Sequence, residues 1–240
     1  MGLYEDLIES VKPQHFEAVK DVRVGTVWSA VQSKDVGIAL TYSTMYDEVE
    51  DAGNLVGKSV KELLDYMLTF NLTKISIGVA ALNSVIPLPS QYETFNILDY
   101  IESVSDNKRV VFVGHFPISD RLRSKAKEVI VLERNPREND LIDTAAYYII
   151  PDADIVAITG STLANKSLES LLSFKRKGIT IVFGPSTPAS PVLFDYGVDI
   201  IGASVVQNPQ FVLNAISQGG KLSNFKKYLE FIALRKEMVK

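Results

Sequence analysis

Four short segments of this 240-residue chain place polar side chains, most of them beside a glycine, directly after β-branched runs. They begin at Gly114, Glu133, Thr159 and Gly184. Imidazole, carboxylate, hydroxyl and amide groups at such places can hold an anion, coordinate a metal ion or transfer a proton. If the runs are strands of a parallel sheet, the segments share its carboxyl edge, where open α/β sheets bind ligands.

The first segment is Gly114-His115-Phe116-Pro117. It stands where a dinucleotide-binding protein carries a Gly-x-Gly-x-x-Gly turn, and it lacks the later glycines, which disfavours an ordinary NAD site. His115 could act there as a metal ligand, a general base or a donor that orients a ligand. The alternative is a loop histidine bonded to a carbonyl group, but its location beyond the first strand favours a functional role. His15 lies in an amphipathic opening segment, which favours a structural role.

The second segment begins with Glu133 and Arg134. A carboxylate at the end of a second strand holds a ribose hydroxyl in dinucleotide enzymes, and it can also accept a metal ion. The adjacent arginine supports a different interpretation, in which both side chains are solvated surface charges. These alternatives stay open at the level of sequence.

The third and fourth segments are rich in hydroxyl groups and precede helical patterns. They supply these candidate ligand-binding residues: Thr159, Gly160, Ser161, Thr162, Asn165, Gly184, Pro185, Ser186 and Thr187. Such donors can hold an anion, but the same side chains cap helices. Neither segment has a Walker A ending or a Gly-x-Ser-x-Gly elbow, so a hydrolase triad is unsupported.

The composition excludes several classes of protein. The chain has no cysteine, which excludes disulfides, thiolate zinc sites, iron–sulfur clusters and cysteine nucleophiles. A net charge of -4 argues against the basic surface that nucleic-acid binding needs. Because there is no basic-then-apolar leader and no long apolar run, we expect a cytoplasmic protein without a membrane partner. The sequence permits a homo-oligomer.

The first part of the chain, up to residue 88, has the pattern of a small α+β unit. An amphipathic opening helix over residues 3–20 precedes two β-rich runs at residues 22–31 and 36–42, which predict a hairpin. The apolar run at residues 73–86 predicts a buried helix because of its length. Prolines then end that helix and mark a domain boundary.

After residue 88, β-branched runs alternate with helical segments. The predicted strands are Arg109–Val113, Val129–Glu133, Asp154–Thr159, Ile179–Phe183 and Val198–Ile201, and the helices between them include residues 166–177 and 209–218. Strands that are apolar throughout predict a doubly wound parallel sheet with helices on both faces. Apolar residues at helical spacing in residues 221–240 predict a terminal helix with a basic outer face.

Several segments together resemble the putative heavy-metal chelation family, whose members join an enolase-N-terminal-like domain to a Rossmann-like domain. The similarity is carried, in this order, by residues 78–84, 113–117, 133–136, 151–165 and 184–188. It implies an α/β fold class. An enolase-N-terminal-like α+β domain would occupy residues 1–88, and a Rossmann-like doubly wound parallel sheet would occupy residues 89–240.

The resemblance also implies a metal ion, a metal chelate or another anionic small molecule bound in a cleft between the two domains. Motif matching places Asn83 with the hydroxyl-rich segments as ligand-binding residues, and His115 with Glu133 as metal ligands. Soft heavy metals prefer sulfur, so we expect a harder divalent metal ion or one held by a small chelator.

Two alternatives stay open. One is an enzyme that acts on a phosphorylated or nucleotide-like metabolite, with His115 as the acid or base. The other is a non-catalytic regulatory module. The sequence does not decide whether the protein is an enzyme.

Overall fold

A computed structural model describes residues 2–174 and 178–239. Its α-helices are α1 Leu3–Ser10, α2 Val60–Leu64, α3 Leu72–Val85, α4 Ile97–Val104, α5 Asp120–Lys125, α6 Ala146–Ile149, α7 Leu168–Phe174, α8 Val192–Asp195, α9 Pro209–Ser217 and α10 Leu222–Phe225. Its strands are β1 Asp21–Val24, β2 Trp28–Gln32, β3 Val36–Leu40, β4 Arg109–Val113, β5 Glu128–Glu133, β6 Leu141–Ile142, β7 Ile155–Thr159, β8 Ile179–Phe183, β9 Ile200–Val206 and β10 Leu229–Arg235.

The smaller sheet is antiparallel, with the strand order β1-β2-β3. The run at residues 22–31, expected to be one strand, is two strands joined by a tight turn. The Gly25 amide closes this turn by donating to the Trp28 carbonyl at 2.8 Å. Glycine is needed here because a Cβ on Gly25 would lie 2.4 Å from the Ile216 carbonyl oxygen of α9.

Helix α3 packs directly on the small sheet. The predicted helix over residues 73–86 is confirmed, and Asn71 caps it by accepting from the Lys74 amide at 2.9 Å. Gly37 of β3 allows the close approach, since a Cβ there would lie 2.1 Å from the Ala80 carbonyl oxygen. Most of α3 is buried, as its nearly continuous apolar sequence requires.

The larger sheet has seven strands in the order β10-β9-β8-β7-β4-β5-β6, and only β10 runs antiparallel to its neighbour. Counted from β4, the parallel strands follow the 3-2-1-4-5-6 order of doubly wound folds. The direction of winding reverses between β4 and β7. The predicted α/β fold class, a small α+β unit followed by a Rossmann-like parallel sheet, is confirmed.

The predicted terminal helix over residues 221–240 is wrong. After α10 the chain forms strand β10, whose Leu229 pairs with Val206 of β9. On its other side, Ala233 exchanges two backbone hydrogen bonds with Glu93, at 2.8 and 2.9 Å. Burial between these neighbours outweighs the helical spacing of the apolar residues. The predicted helix at residues 166–177 is α7, and residues 175–177 lie outside the described part.

One hydrophobic cluster joins the two sheets. It includes Leu7 of α1, Leu82 of α3 and Val111 of β4, all fully buried. The first unit therefore packs against the larger sheet through a shared core. Across residues 2–174 and 178–239, no helix has the length and apolar character that a membrane crossing needs.

Candidate functional site at the carboxyl edge of the large sheet

The four segments selected from the sequence end or follow neighbouring strands of the large sheet. Gly184 follows β8, Thr159 ends β7, Gly114 follows β4 and Glu133 ends β5. The four strands are adjacent and parallel, so the segments form a row along one edge. The row spans the point where the winding of the sheet reverses, which is where doubly wound folds bind ligands.

The ends of β4 and β7 touch at that reversal point. Gly114 has φ of 100°, and a Cβ there would lie 2.7 Å from the Cγ2 atom of Thr159. Both the left-handed backbone and the close approach require glycine. This contact places the residue after Gly114, His115, next to the hydroxyl-bearing end of β7.

His115 lies between two carboxylates. Its Nε2 atom is 2.6 Å from Oδ2 of Asp140, and its Nδ1 atom is 3.3 Å from Oε2 of Glu133. Asp140 was not selected by the sequence analysis. It lies in the loop between β5 and β6, and the turn-forming composition of residues 135–140 gives no sign that its side chain reaches back to β4.

Backbone amides hold both carboxylates in place. The Arg134 amide donates to Oε1 of Glu133 at 2.8 Å, and the Arg137 amide donates to Oδ2 of Asp140 at 2.8 Å. The Arg137 amide, together with the hydrogen bond from His115, lowers the pKa of Asp140. An ionised Asp140 favours the tautomer with the proton on Nε2, which leaves a lone pair on Nδ1.

A row of hydroxyl groups runs from the first unit to the end of β7. The Tyr42 hydroxyl is 3.5 Å from Oγ of Ser161, and that atom is 3.1 Å from Oγ1 of Thr159. Thr162 turns away and donates to the Thr159 carbonyl at 2.6 Å. Asn165 also acts locally, accepting from the Ser167 amide and hydroxyl at 3.1 and 2.6 Å.

The segment that starts at Gly184 fastens the first unit to the sheet. Oγ of Ser186 accepts a hydrogen bond from the Leu40 amide at 2.8 Å. The backbone carbonyl of Ser186 accepts a hydrogen bond from Nδ2 of Asn83 at 3.1 Å. The Pro185 carbonyl accepts from the Ser204 hydroxyl at 3.5 Å. Nδ2 of Asn83 therefore joins the two units, and its role in ligand binding stays a prediction.

Thr187 packs against the β7 end. A Cβ on Gly160 would lie 2.1 Å from Oγ1 of Thr187. The close contact between the loop after β7 and the loop after β8 therefore requires glycine at position 160. Thr187 as a whole residue is only 2% exposed. In the described part of the chain, neither Oγ1 of Thr187 nor Oδ1 of Asn83 has a hydrogen-bond partner.

The described residues contain no complete metal cage built from three or more His, Cys, Asp or Glu side chains. The cluster around His115 consists instead of two potential donors, Nδ1 of His115 and Glu133, with Asp140 behind the imidazole. A groove of about 560 Å³ lies elsewhere, beside Phe95, Tyr100 and Arg235. Its arginine is already paired with Glu93 at 2.9 Å, so we take the sheet edge as the candidate site.

The fold and this edge define a Rossmann-like protein with a row of polar side chains where the winding of its sheet reverses. The chain belongs to the DUF364 family, described as "Putative heavy-metal chelation", whose family model matches residues 96–235. A second model, DUF4213, has the same description and matches residues 4–86.

The chain is also similar to individual proteins. It is 29% identical over 187 residues to the uncharacterized protein MJ0500 of Methanocaldococcus jannaschii, covering 72% of this chain and 71% of the relative. A crystal structure of a DUF364 protein of unknown function from Desulfitobacterium hafniense has a TM-score of 0.85 at 23% identity, covering 98% of this chain and 99% of that one. One from Pyrococcus horikoshii has a TM-score of 0.82 at 21% identity, covering 97% and 99%. These structures establish the shared fold.

Proposed function

We propose that the protein binds a divalent metal ion of borderline softness, free or held by a small chelating ligand, at the carboxyl edge of the large sheet. His115 would coordinate through Nδ1 and Glu133 through a carboxylate oxygen. The observation that carries this proposal is the 3.3 Å separation of Nδ1 and Oε2.

That separation suits a shared cation. Zinc-type ions bind imidazole nitrogen and carboxylate oxygen at about 2.1 Å. Two donors 3.3 Å apart would then subtend roughly 100° at the ion, close to a tetrahedral angle. Little movement of His115 or Glu133 is needed, because Nδ1 and Oε2 already lie at the separation that two ligands of one ion require.

The contact of Asp140 with the second ring nitrogen of His115 also supports His115 as a metal ligand. Metal-binding histidines usually donate their second ring N–H to a carboxylate or a carbonyl, which fixes the tautomer and raises the basicity of the ligand. The contact between Nε2 of His115 and Oδ2 of Asp140 has this form. Asp140 is thus a positioning residue and His115 is the ligand.

The donor set favours certain metals. With no cysteine in the chain, a soft ion would lack the thiolates it prefers. Imidazole and carboxylate suit zinc and similar borderline ions. Two protein donors leave coordination positions for water or for a chelator, and the family description points to metal chemistry.

Several of the remaining candidate residues lie along the same edge of the sheet. Thr159 lies against the residue before His115, and Ser161 and Tyr42 continue the row of hydroxyls toward the first unit. We propose that Asn83 and the segments starting at Thr159 and Gly184 form the wall that meets the organic part of a metal chelate.

Isothermal titration with Zn²⁺ of protein purified in the presence of a chelator, then dialysed, tests the cation site. His115→Gln and Glu133→Gln should each weaken zinc binding at least tenfold, since each removes one of two protein ligands. Glu138→Gln removes the same charge from the exposed loop that follows β5 and should leave zinc binding unaltered. Equal affinity in all four proteins, or no zinc binding by any of them, would contradict the proposal.

A second candidate function is favoured by the pairing of His115 with Asp140. An imidazole oriented by a carboxylate is the arrangement of a general base, and a phosphorylated metabolite could be its substrate. A thermal-shift panel of nucleotides and sugar phosphates tests it without added metal. A ligand at 100 times its Kd adds about 2.7 kcal/mol of stability, so a binder would be visible.

A further inference from the structure

We infer that the groove beside Phe95, Tyr100 and Arg235 is a second ligand site, and that it takes a small organic cation bearing a guanidinium or primary ammonium group. The inference does not depend on the proposed metal site, because the groove shares no residue with the candidates at the sheet edge. It is carried by the aromatic rings of the groove, by the guanidinium that they already hold and by one carboxylate without a partner.

The groove lies where the segment before α4 meets the last strand of the large sheet. Glu93 exchanges two backbone hydrogen bonds with Ala233 of β10, at 2.8 and 2.9 Å, and Arg235 follows at the end of that strand. The groove has a volume of about 560 Å³. Binding sites for small molecules span roughly 300–1,000 Å³, so this groove has room for one small organic molecule.

Two aromatic rings form the apolar wall of the groove. The ring centroids of Phe95 and Tyr100 are 5.7 Å apart, and the ring planes are inclined by 56°. Both rings pack against a buried hydrophobic cluster that includes Ile97 and Ile101 of α4. Because the rings are anchored on this core, they offer a preformed surface, and a ligand that covers them orders few side chains.

This wall already holds a cation that the chain itself supplies. The guanidinium carbon of Arg235 lies 5.0 Å from the ring centroid of Phe95 and 4.8 Å from that of Tyr100. The faces of aromatic rings attract cations through the ring quadrupole. Nε of Arg235 also donates to Oε2 of Glu93 at 2.9 Å. The groove therefore combines the aromatic faces and the carboxylate that recognise a guanidinium group.

The charge that remains in the groove is negative. Arg235 and Glu93 neutralise each other, and Asp99 also lines the groove. Asp99 is exposed, and its side chain makes no hydrogen bond or ion pair within residues 2–174 and 178–239. It lies in the first turn of α4, where the helix dipole favours an ionised carboxylate. A cation is thus favoured over an anion, for which the lining arginine is already taken.

The same features select an organic cation over a bare metal ion. One free carboxylate gives a metal ion a single charged protein ligand, whereas an ammonium or guanidinium group can make a complete charge-assisted hydrogen bond to it. The carbon chain of an organic cation can also cover Phe95 and Tyr100, which removes apolar surface from water. The charged end of the ligand would lie at Asp99 and its chain along the rings.

Isothermal titration with agmatine, which carries a guanidinium and a primary ammonium group on a short carbon chain, tests the inference in the presence of EDTA. Wild-type protein should bind agmatine, and Asp99→Asn should bind it roughly fivefold more weakly, the loss expected for one exposed ion pair. Asp99→Glu keeps the charge and should restore most of the affinity. Asp106→Asn removes an equally exposed carboxylate beyond the other end of α4 and should bind like wild type.

Every outcome decides for or against this site. Absence of saturable agmatine binding, or equal affinity in Asp99→Asn and wild type, overturns the inference. Glutarate should not bind, and a preference for this dicarboxylate over agmatine overturns the ligand class. His115→Gln should bind agmatine as wild type does, so failure of the metal site and failure of this site are separate results. Circular dichroism melting checks that each variant is folded.

Discussion

Nε2 of His115 lies 2.6 Å from Oδ2 of Asp140, although the two residues are 25 positions apart in the chain. The contact joins the loop after β4 to the loop after β5 and orients the imidazole across the carboxyl edge of the sheet. Because Asp140 already accepts the Arg137 amide, its position does not depend on His115 alone. The imidazole is therefore held by a carboxylate that is itself fixed to the backbone.

Replacing Asp140 by Asn should weaken zinc binding without removing the metal ligands. The amide retains the shape but cannot hold the same tautomer and basicity of His115, so we expect a 10- to 100-fold loss of affinity. Isothermal titration measures this loss, and Glu138→Gln serves as the charge-matched control. Unchanged affinity in Asp140→Asn would show that the carboxylate does not position the ligand.

The two buried serines of the segment after β8 should differ in their importance for stability. Ser186→Ala removes the acceptor of the Leu40 amide, and an unpaired buried amide costs about 1–3 kcal/mol. Ser190 is equally buried, at 1% exposure, and its hydroxyl has no partner in the described residues. Ser190→Ala should therefore change the free energy of unfolding by close to zero, as measured by urea denaturation. Equal losses in the two variants would contradict this assignment.

Gly37 should tolerate a methyl group less well than Gly53 does. A Cβ on Gly37 would lie 2.1 Å from the Ala80 carbonyl oxygen, whereas one on Gly53 would meet nothing within 4 Å. Gly37→Ala must push α3 away from the small sheet, at a cost of about 1–3 kcal/mol or more. Gly53→Ala carries only the strain of its left-handed backbone, roughly 1–2 kcal/mol. Thermal unfolding compares them, and a smaller loss at Gly37 would argue against the close approach of α3.

The stability contributed by Lys166 should rise with pH. Burial lowers the pKa of Lys166, an effect that Glu5 and Glu169 partly oppose, so folding disfavours its charged form. The cost is fully present below the lowered pKa and disappears as pH rises toward the ordinary lysine value. Wild-type protein should therefore gain stability relative to Lys166→Met between neutral pH and about pH 10.

Lys12 serves as a comparison for Lys166, because the pKa of Lys12 is shifted in the other direction. Its hydrogen bond to Glu9 raises the pKa of Lys12. The stability that this interaction gives is present at neutral pH and is lost as pH rises through the raised pKa. Because this loss falls above the ordinary lysine value, urea denaturation should show no pH-dependent difference between wild-type protein and Lys12→Met from neutral pH to about pH 10. Matching slopes in the two variants would contradict the burial of Lys166.

The sequence predicts the strand ends well because each strand is a continuous apolar run followed by a glycine or a polar residue. Gly114, Thr159 and Gly184 lie in one row because the parallel strands that precede them are neighbours. The terminal strand was missed for a physical reason: Leu229 and Ile232 fit a helical period as well as a buried strand. Only pairing with β9 and with Glu93 decides between the two.

The contacts that complete the candidate site are less visible in the sequence. Asp140 contacts His115 from a loop without regular structure. Ser186 accepts a hydrogen bond from the amide of Leu40, although the two residues are 146 positions apart in the chain. Neither pairing leaves a local pattern, because both depend on how strands and loops are arranged in space. Asn83 was found only through the family motif, since nothing in the surrounding apolar run marks it as a contact to the second unit.

A crystal soaked in zinc chloride and measured at the zinc absorption edge tests the central claim most directly. The account predicts an anomalous difference peak about 2.1 Å from both Nδ1 of His115 and an oxygen of Glu133, with Asp140 still bonded to Nε2. A zinc peak elsewhere, or none between these residues while Nδ1 of His115 keeps its contact with Glu133, would contradict it.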